Sequence, residues 1–121
     1  MSTLDSEQAN SKVNLPLTVA KFGGTSVADY QAMLRCAHII KNDISNRLVV
    51  VSASAGVTNY LVRLSQENIS VAERAEIITN IRAIQLNITQ HLSAEVEKAL
   101  NNEIDILLDE LSTHALKQSQ Q

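Results

Sequence analysis

Leu17-Thr18-Val19-Ala20-Lys21-Phe22-Gly23-Gly24-Thr25-Ser26 decides the reading of this chain. Its first six residues are too few and too β-branched for a helix, and a glycine pair bounds them, so a buried strand is expected over 17–22. Gly23 and Gly24 are two of the only three glycines in the sequence, and the hydroxyls of Thr25 and Ser26 follow them. A strand-borne lysine, two residues without side chains and two hydroxyls make a cradle suited to phosphate. Glycine lets backbone N–H groups approach an anion, a helix start adds partial positive charge, and Lys21 adds a full one. The plain structural alternative is a tight turn with Lys21 reaching solvent.

Downstream, a helical pattern begins near Val27, with Ser26 and Asp29 at capping-box spacing. Tyr30, Met33, Leu34, Ala37, Ile40 and Ile44 fall on one face, which predicts an amphipathic helix of four to five turns. A second strand is expected over 47–53, and its three consecutive valines imply burial on both faces, as in a parallel sheet. Strand, helix and strand make a βαβ unit. Parallel order puts the strand ends Phe22 and Ala53 on one edge, where open α/β sheets bind their ligands.

The second strand runs into Ser52-Ala53-Ser54-Ala55-Gly56-Val57-Thr58-Asn59, so all three glycines fall in two strand-to-helix turns. One of Ser52, Ser54 and Thr58 is expected to cap the following helix. Alternatively, their hydroxyls and the free N–H groups of this loop meet the phosphoryl acceptor or the terminal phosphate. The spacing is neither Walker A, with its lysine after the glycines, nor the dinucleotide G-x-G-x-x-G.

The helix after Gly56 takes Val57, Tyr60, Leu61 and Leu64 as its stripe. Ser70 and Glu73 have capping-box spacing ahead of a helix lined by Ile77, Ile78, Ile81, Ile84 and Ile88 and running to about His91. Ser93 is expected to cap a last helix with Glu95 and Glu97 in its first turn and a stripe of Val96, Leu100, Ile104, Leu107, Leu108 and Leu111. The two should form an antiparallel hairpin. A flexible polar tail is expected over 1–16 and a short polar end over 118–121.

Composition narrows the function. A hydrophobic content of 45% is ordinary for one modest globular domain of 121 residues. Aromatic content of 2% leaves no stacking platform for bases, and a net charge of -3 gives no basic face, so nucleic acid is not an expected partner. No apolar run approaches the ~20 residues needed to cross a bilayer, and 1–16 has no apolar signal core. With its single cysteine, Cys36, unable to form an internal disulfide, the chain is expected in the cytoplasm. Cys36 reads as a small buried residue. His38, His91 and His114 are too scattered for a metal site, and the acidic run 103–110 reads as a solvated helix face.

Lys21-Phe22-Gly23-Gly24-Thr25-Ser26-Val27-Ala28, followed by Val50-Val51-Ser52-Ala53-Ser54-Ala55-Gly56-Val57-Thr58-Asn59, resembles the start of aspartate kinases, in the amino-acid kinase superfamily. It looks most like the lysine-sensitive type. The resemblance implies the N-terminal part of an α/β three-layer αβα sandwich, with 17–117 an incomplete kinase domain. It implies phosphoryl transfer from ATP, with Mg²⁺ held by the phosphates, to the β-carboxylate of L-aspartate, the first step of lysine, threonine and methionine biosynthesis. By motif match, Lys21 is catalytic and ATP is held by Lys21, Phe22, Gly23 and Gly24, with Thr25 and Ser26 beside them. Aspartate falls to Ser52, Ala53, Gly56 and Thr58, and full-length forms are expected to be homo-oligomers. The family's later aspartate-binding motif, catalytic aspartate, base-binding half and regulatory domains have no counterpart here, so the chain alone is expected to be inactive. Two alternatives remain: a non-catalytic module pairing with itself or with a full-length kinase, and an amino-acid kinase for another substrate.

Overall fold

The computed structural model describes residues 17–119. The tail assigned to 1–16 and the last residues of the polar end lie outside them. Strand β1 (Thr18–Phe22) runs into a single 3₁₀ turn (Gly24–Val27), then α1 (Tyr30–Asn42), β2 (Asn46–Val51), α2 (Val57–Leu64), α3 (Val71–Thr89) and α4 (Ala94–Ser119). The strands are parallel, pairing Val19 with Leu48, Ala20 with Val49, Lys21 with Val50 and Phe22 with Val51. The expected α/β unit is present, with α1 as its crossover.

The start of α1 differs from the expectation. Asp29, not Ser26, caps it: the Asp29 carboxylate accepts the Ala32 amide at 2.8 Å. Ser26 lies inside the 3₁₀ turn, where its amide donates to the Gly23 carbonyl at 3.0 Å. The later start and a stop at Asn42 leave 13 residues, about three and a half turns. The stop is local: Asp43 accepts both the amide and the hydroxyl of Ser45, turning the chain into β2. Those two bonds hold the Asp43 carboxyl below its ordinary pKa. Ile44 therefore falls beyond the helix and is 94% exposed. The buried positions of α1 are Ala32 and Cys36, with Met33 and Ile40 half-buried, while Leu34 and Ala37 are exposed.

The valine run is also not buried. Leu48, Val49, Val50 and Val51 keep 52%, 39%, 43% and 61% of their surface exposed. The sheet has two strands among the described residues, and helix cover reaches mainly β1, whose Thr18, Ala20 and Phe22 are half-buried. A strand needs a neighbour and cover on each face before a run of this kind is buried.

The core lies among the helices instead. Val57 and Leu64 of α2, Ile69 just before α3, Ile77 and Ile81 of α3, and Leu108 and Ala115 of α4 form one cluster, with Tyr60, Ile78, Ile84, Ile104 and Leu111 packed on it. Ser70 caps α3 as its spacing predicted, accepting the Glu73 amide at 3.1 Å. Glu95 and Glu97 occupy the first turn of α4. Helices α3 and α4 are antiparallel, since Arg82 pairs with Asp105 while the later Thr89 bonds the earlier Asn101 at 2.7 Å. Val96, Leu100 and Leu107, placed on the stripe of α4, are exposed, as is Leu61 of α2. Each of these helices meets its neighbours along a seam narrower than its apolar face.

Candidate functional site

Both glycine turns stand at the C-terminal ends of the parallel strands, and backbone bonds join them. The Ser52 amide donates to the Phe22 carbonyl at 3.0 Å, extending the ladder from the last residue of β1 to one residue past β2. The Ala55 amide then donates to the Gly24 carbonyl at 3.2 Å, tying the second loop to the first. A Cβ on Gly24 would stand 3.1 Å from the Ala53 carbonyl oxygen, so this approach depends on glycine.

Gly23 has a different character. Its backbone is extended, with φ −75° and ψ 177°, and nothing lies within 4 Å of where a Cβ would project. Open space rather than close packing surrounds it. Gly56 has φ +92° in the left-handed region and serves as the N-cap of α2. No side chain caps that helix, which corrects the expectation for Ser52, Ser54 and Thr58. The turn closes through backbone instead, with the Val57 amide donating to the Ser54 carbonyl at 3.0 Å and the Tyr60 amide to the Gly56 carbonyl at 3.4 Å. The left-handed glycine carries the chain into the helix without a side-chain acceptor.

Lys21 is exposed at the end of β1, in register with Val50. Among the described residues the ion pairs are Arg63–Glu73 and Arg82–Asp105, and neither involves Lys21. Thr25, Ser52, Ala53 and Thr58 are exposed, Phe22 and Ser26 half-buried, and Ser54 is buried at 5% exposure. The edge therefore presents an ammonium group, several hydroxyls and two loops of backbone, a set that can neutralise and bond an anion without supplying a base. The 3₁₀ turn after Gly23 is followed by α1 only at Tyr30, so an α-helix N-terminus does not abut the first glycine pair as the sequence suggested. Any anion there relies on loop amides and Lys21.

Several supports were not singled out from the sequence. The Cys36 thiol, buried as expected, donates to the Ser26 carbonyl at 3.2 Å and holds the 3₁₀ turn against α1. Arg35 lines a cleft of about 350 Å³ together with Phe22, Thr25 and Ser26, bringing a second cation beside the first turn. Ile84 of α3 lies 3.6 Å from the Cβ position of Gly56, so the hairpin props the second turn. Tyr30 stacks on His91 with ring centroids 4.8 Å apart and planes 20° apart, joining the start of α1 to the turn after α3. None of these contacts has a short-range sequence signal. Among the described residues no cluster of three or more His, Cys, Asp or Glu could hold a metal ion, and no helix is long and apolar enough to cross a membrane.

The model of the amino acid kinase family matches residues 16–120. The chain is 46% identical over 99 residues to the lysine-sensitive aspartokinase 3 of Escherichia coli, covering 82% of this chain and 21% of that one. A Haemophilus influenzae relative provisionally named inactive aspartokinase 3 is 55% identical over 64 residues, 53% of this chain and 52% of its own length. The crystal structure of E. coli aspartokinase III in complex with aspartate and ADP superposes with a TM-score of 0.79 at 43% identity, over 86% of this chain and 23% of that one. The chain thus spans about a fifth of the E. coli enzyme it matches and about half of the H. influenzae relative.

Proposed function

The chain belongs to the amino acid kinase family, and from that premise we propose that its paired glycine turns serve phosphoryl transfer from ATP to the β-carboxylate of L-aspartate. The observation that carries this reading is the joining of the turns. The Ser52–Phe22 and Ala55–Gly24 bonds set a phosphate-type loop and a hydroxyl-bearing loop side by side on one sheet edge, next to Lys21. The bound aspartate and ADP of the related E. coli structure support the choice of ligands.

In the proposed mechanism the Lys21 ammonium and the loop amides of Gly23 and Gly24 hold the phosphates of ATP, with Phe22, Thr25 and Ser26 shaping the same turn. Ser52, Ala53, Gly56 and Thr58 orient aspartate. A β-carboxylate of pKa ~4 is already ionised at neutral pH, so attack on the terminal phosphorus needs no general base. The new bond joins a carboxylate oxygen to phosphorus as the bridging oxygen leaves with ADP, and the product is β-aspartyl phosphate. Lys21 stabilises negative charge on the transferring group, so the contribution of these residues is positioning and electrostatics. Mg²⁺ would be held by the phosphates of ATP, where it would offset their negative charge.

On this reading residues 17–117 are the N-terminal portion of a kinase domain, flanked by a polar tail over 1–16 and a polar end over 118–121. The enzyme works in the cytoplasm as a homo-oligomer in its full-length form, and these 121 residues alone are inactive. Aspartate-dependent ATP turnover should be undetectable for this chain and appear in a version extended at its C-terminus. Robust turnover by the short chain would refute its inactivity, and an extended version that phosphorylates a different acid would refute the substrate.

A further inference from the structure

We propose that the C-terminal half of α3 sets the separation of the two glycine turns, with Ile84 and His91 as positioning residues for the phosphoryl transfer proposed above. The role rests on that function for its chemistry, while the contacts behind it do not. Both contacts come from one helix. The Ile84 Cδ1 atom lies 3.6 Å from the Cβ position of Gly56, in the second turn. The His91 ring stacks on Tyr30, the first residue of α1, which follows the first turn. The His91 amide donates to the Ile88 carbonyl at 3.3 Å, so the chain keeps a helical course past Thr89. Ile84, Ile88 and His91 then recur at helical spacing on one face. Among the described residues, Ile88 is buried but stands outside the cluster that α2, α3 and α4 share.

The opposite face of the same half-helix is fixed to α4. Arg82 pairs with Asp105, and the Thr89 hydroxyl donates to the Asn101 side-chain oxygen at 2.7 Å. Each of these anchors precedes one of the two contacts by two residues, and two residues turn an α-helix by about 200°. The hairpin therefore grips α3 on one side while α3 bears on the turns from the other. Thr89 is buried, so water does not compete for its bond. Ile84 and His91 are seven residues apart, about 10 Å along the axis. Anchored near both ends, this length of helix is a spacer.

The turns need such a spacer because their own bonds end early. The Ser52–Phe22 and Ala55–Gly24 bonds join the loops where they leave the strands. Thr25 and Ser26 on one side, and Gly56 and Thr58 on the other, lie beyond those bonds, where the chain diverges towards α1 and α2. Past that point the first segment is backed by the Tyr30–His91 stack and the second by Ile84. Transfer between two bound groups requires reacting atoms about 3–3.5 Å apart, and a misplacement of ~1 Å can lower the rate ~10²-fold. Side chains that touch neither ligand can thus govern both through the distance between the turns.

Hydrogen exchange in this chain reads the contacts directly. The Ser26 amide, bonded to the Gly23 carbonyl, reports the first turn, and the Ala55 amide, bonded to the Gly24 carbonyl, reports the second. Ile84→Ala should speed exchange at Ala55 about tenfold, and His91→Ala should do the same at Ser26, with the Leu108 amide in the helical core unchanged. Ile84→Val keeps an apolar contact and His91→Phe keeps a ring, so both should restore protection. In a C-terminally extended chain, Ile84→Ala should raise the KM for aspartate about fivefold and His91→Ala the KM for ATP about fivefold, each leaving the other KM unchanged. Loss of folded protein cannot produce that split. Unaltered exchange at Ser26 and Ala55, or a loss of protection shared by Leu108, overturns the positioning role. So does an active extended chain in which the two KM values move together or not at all. An unmodified extended chain that does not phosphorylate aspartate overturns the proposed function instead, and the exchange measurement alone then decides whether α3 holds the turns.

Discussion

The Ala55 amide donates to the Gly24 carbonyl at 3.2 Å, and through this bond the two glycine turns become one surface. A methyl group on Gly24 would press on the Ala53 carbonyl at 3.1 Å, whereas one on Gly23 would meet nothing within 4 Å. Gly24→Ala should therefore cost about 1–3 kcal/mol in urea denaturation, as crowding against backbone does. Gly23→Ala should leave stability within about 0.5 kcal/mol, as for a substitution that meets no neighbour. If Gly23 faces phosphate, that same substitution should weaken ADP binding by calorimetry in a C-terminally extended chain. Unchanged ADP affinity in Gly23→Ala would remove Gly23 from the site.

Gly56 at φ +92° is the other position where the backbone demands glycine. Gly56→Ala should destabilise by roughly 1–2 kcal/mol from conformation alone, because its Cβ would make ordinary contact with Ile84 at 3.6 Å. Gly56→Asn should cost less, since asparagine tolerates the left-handed region better. Equal losses for both, measured by thermal melting, would place the cost in packing rather than in the backbone.

Arg63 holds Glu73 in a two-bond fork of 2.5 and 2.7 Å, joining α2 to α3, and Arg82 holds Asp105 between α3 and α4. The hydrogen bonds from these arginines lower the pKa of both carboxyls from the ordinary value. A lowered folded-state pKa means that the stability is present above the unfolded-state carboxylate range, near ~4, and is lost as pH falls through the folded-state values. Both pairs are on the surface, so the effect should be modest and reduced by salt. Urea midpoints of the unmodified chain and the Glu73→Gln, Asp105→Asn double variant should differ at pH 7 and converge in acid. A gap that persists unchanged into acid would contradict this.

The Tyr30–His91 stack joins the βαβ unit to the hairpin. Tyr30→Ala should cost about 0.5–1.5 kcal/mol beyond the lost burial and raise hydrogen exchange at the start of α1, whereas Tyr30→Phe should keep the stack. Equal exchange in Tyr30→Ala and the unmodified chain would show that the hairpin is anchored elsewhere.

Much of the candidate site was legible because its signals are local. Gly23, Gly24 and Gly56 fall in strand-to-helix turns and Lys21 near the end of the first strand, and the structure places all four so. The cap of α1 falls three residues beyond Ser26, at Asp29, because both residues satisfy the local rule and the 3₁₀ turn between them is held by the Cys36–Ser26 and Ala55–Gly24 bonds. Arg35 and His91 gave no signal, since their roles depend on residues distant in sequence.

The sequence by itself determined the order of strand, turn and helix, the two glycine turns, the Ser70 cap and the hairpin. Each follows from residues a few positions apart, through β-branching, side-chain capping or helical period. Only the tertiary structure decided which glycine is needed for close approach and which stands in open space, because that depends on where the Ala53 carbonyl arrives. It also decided that the valines of β2 are exposed. A run of valines states that a strand can be buried, but burial needs a neighbour and a covering layer, and those are properties of the assembled fold.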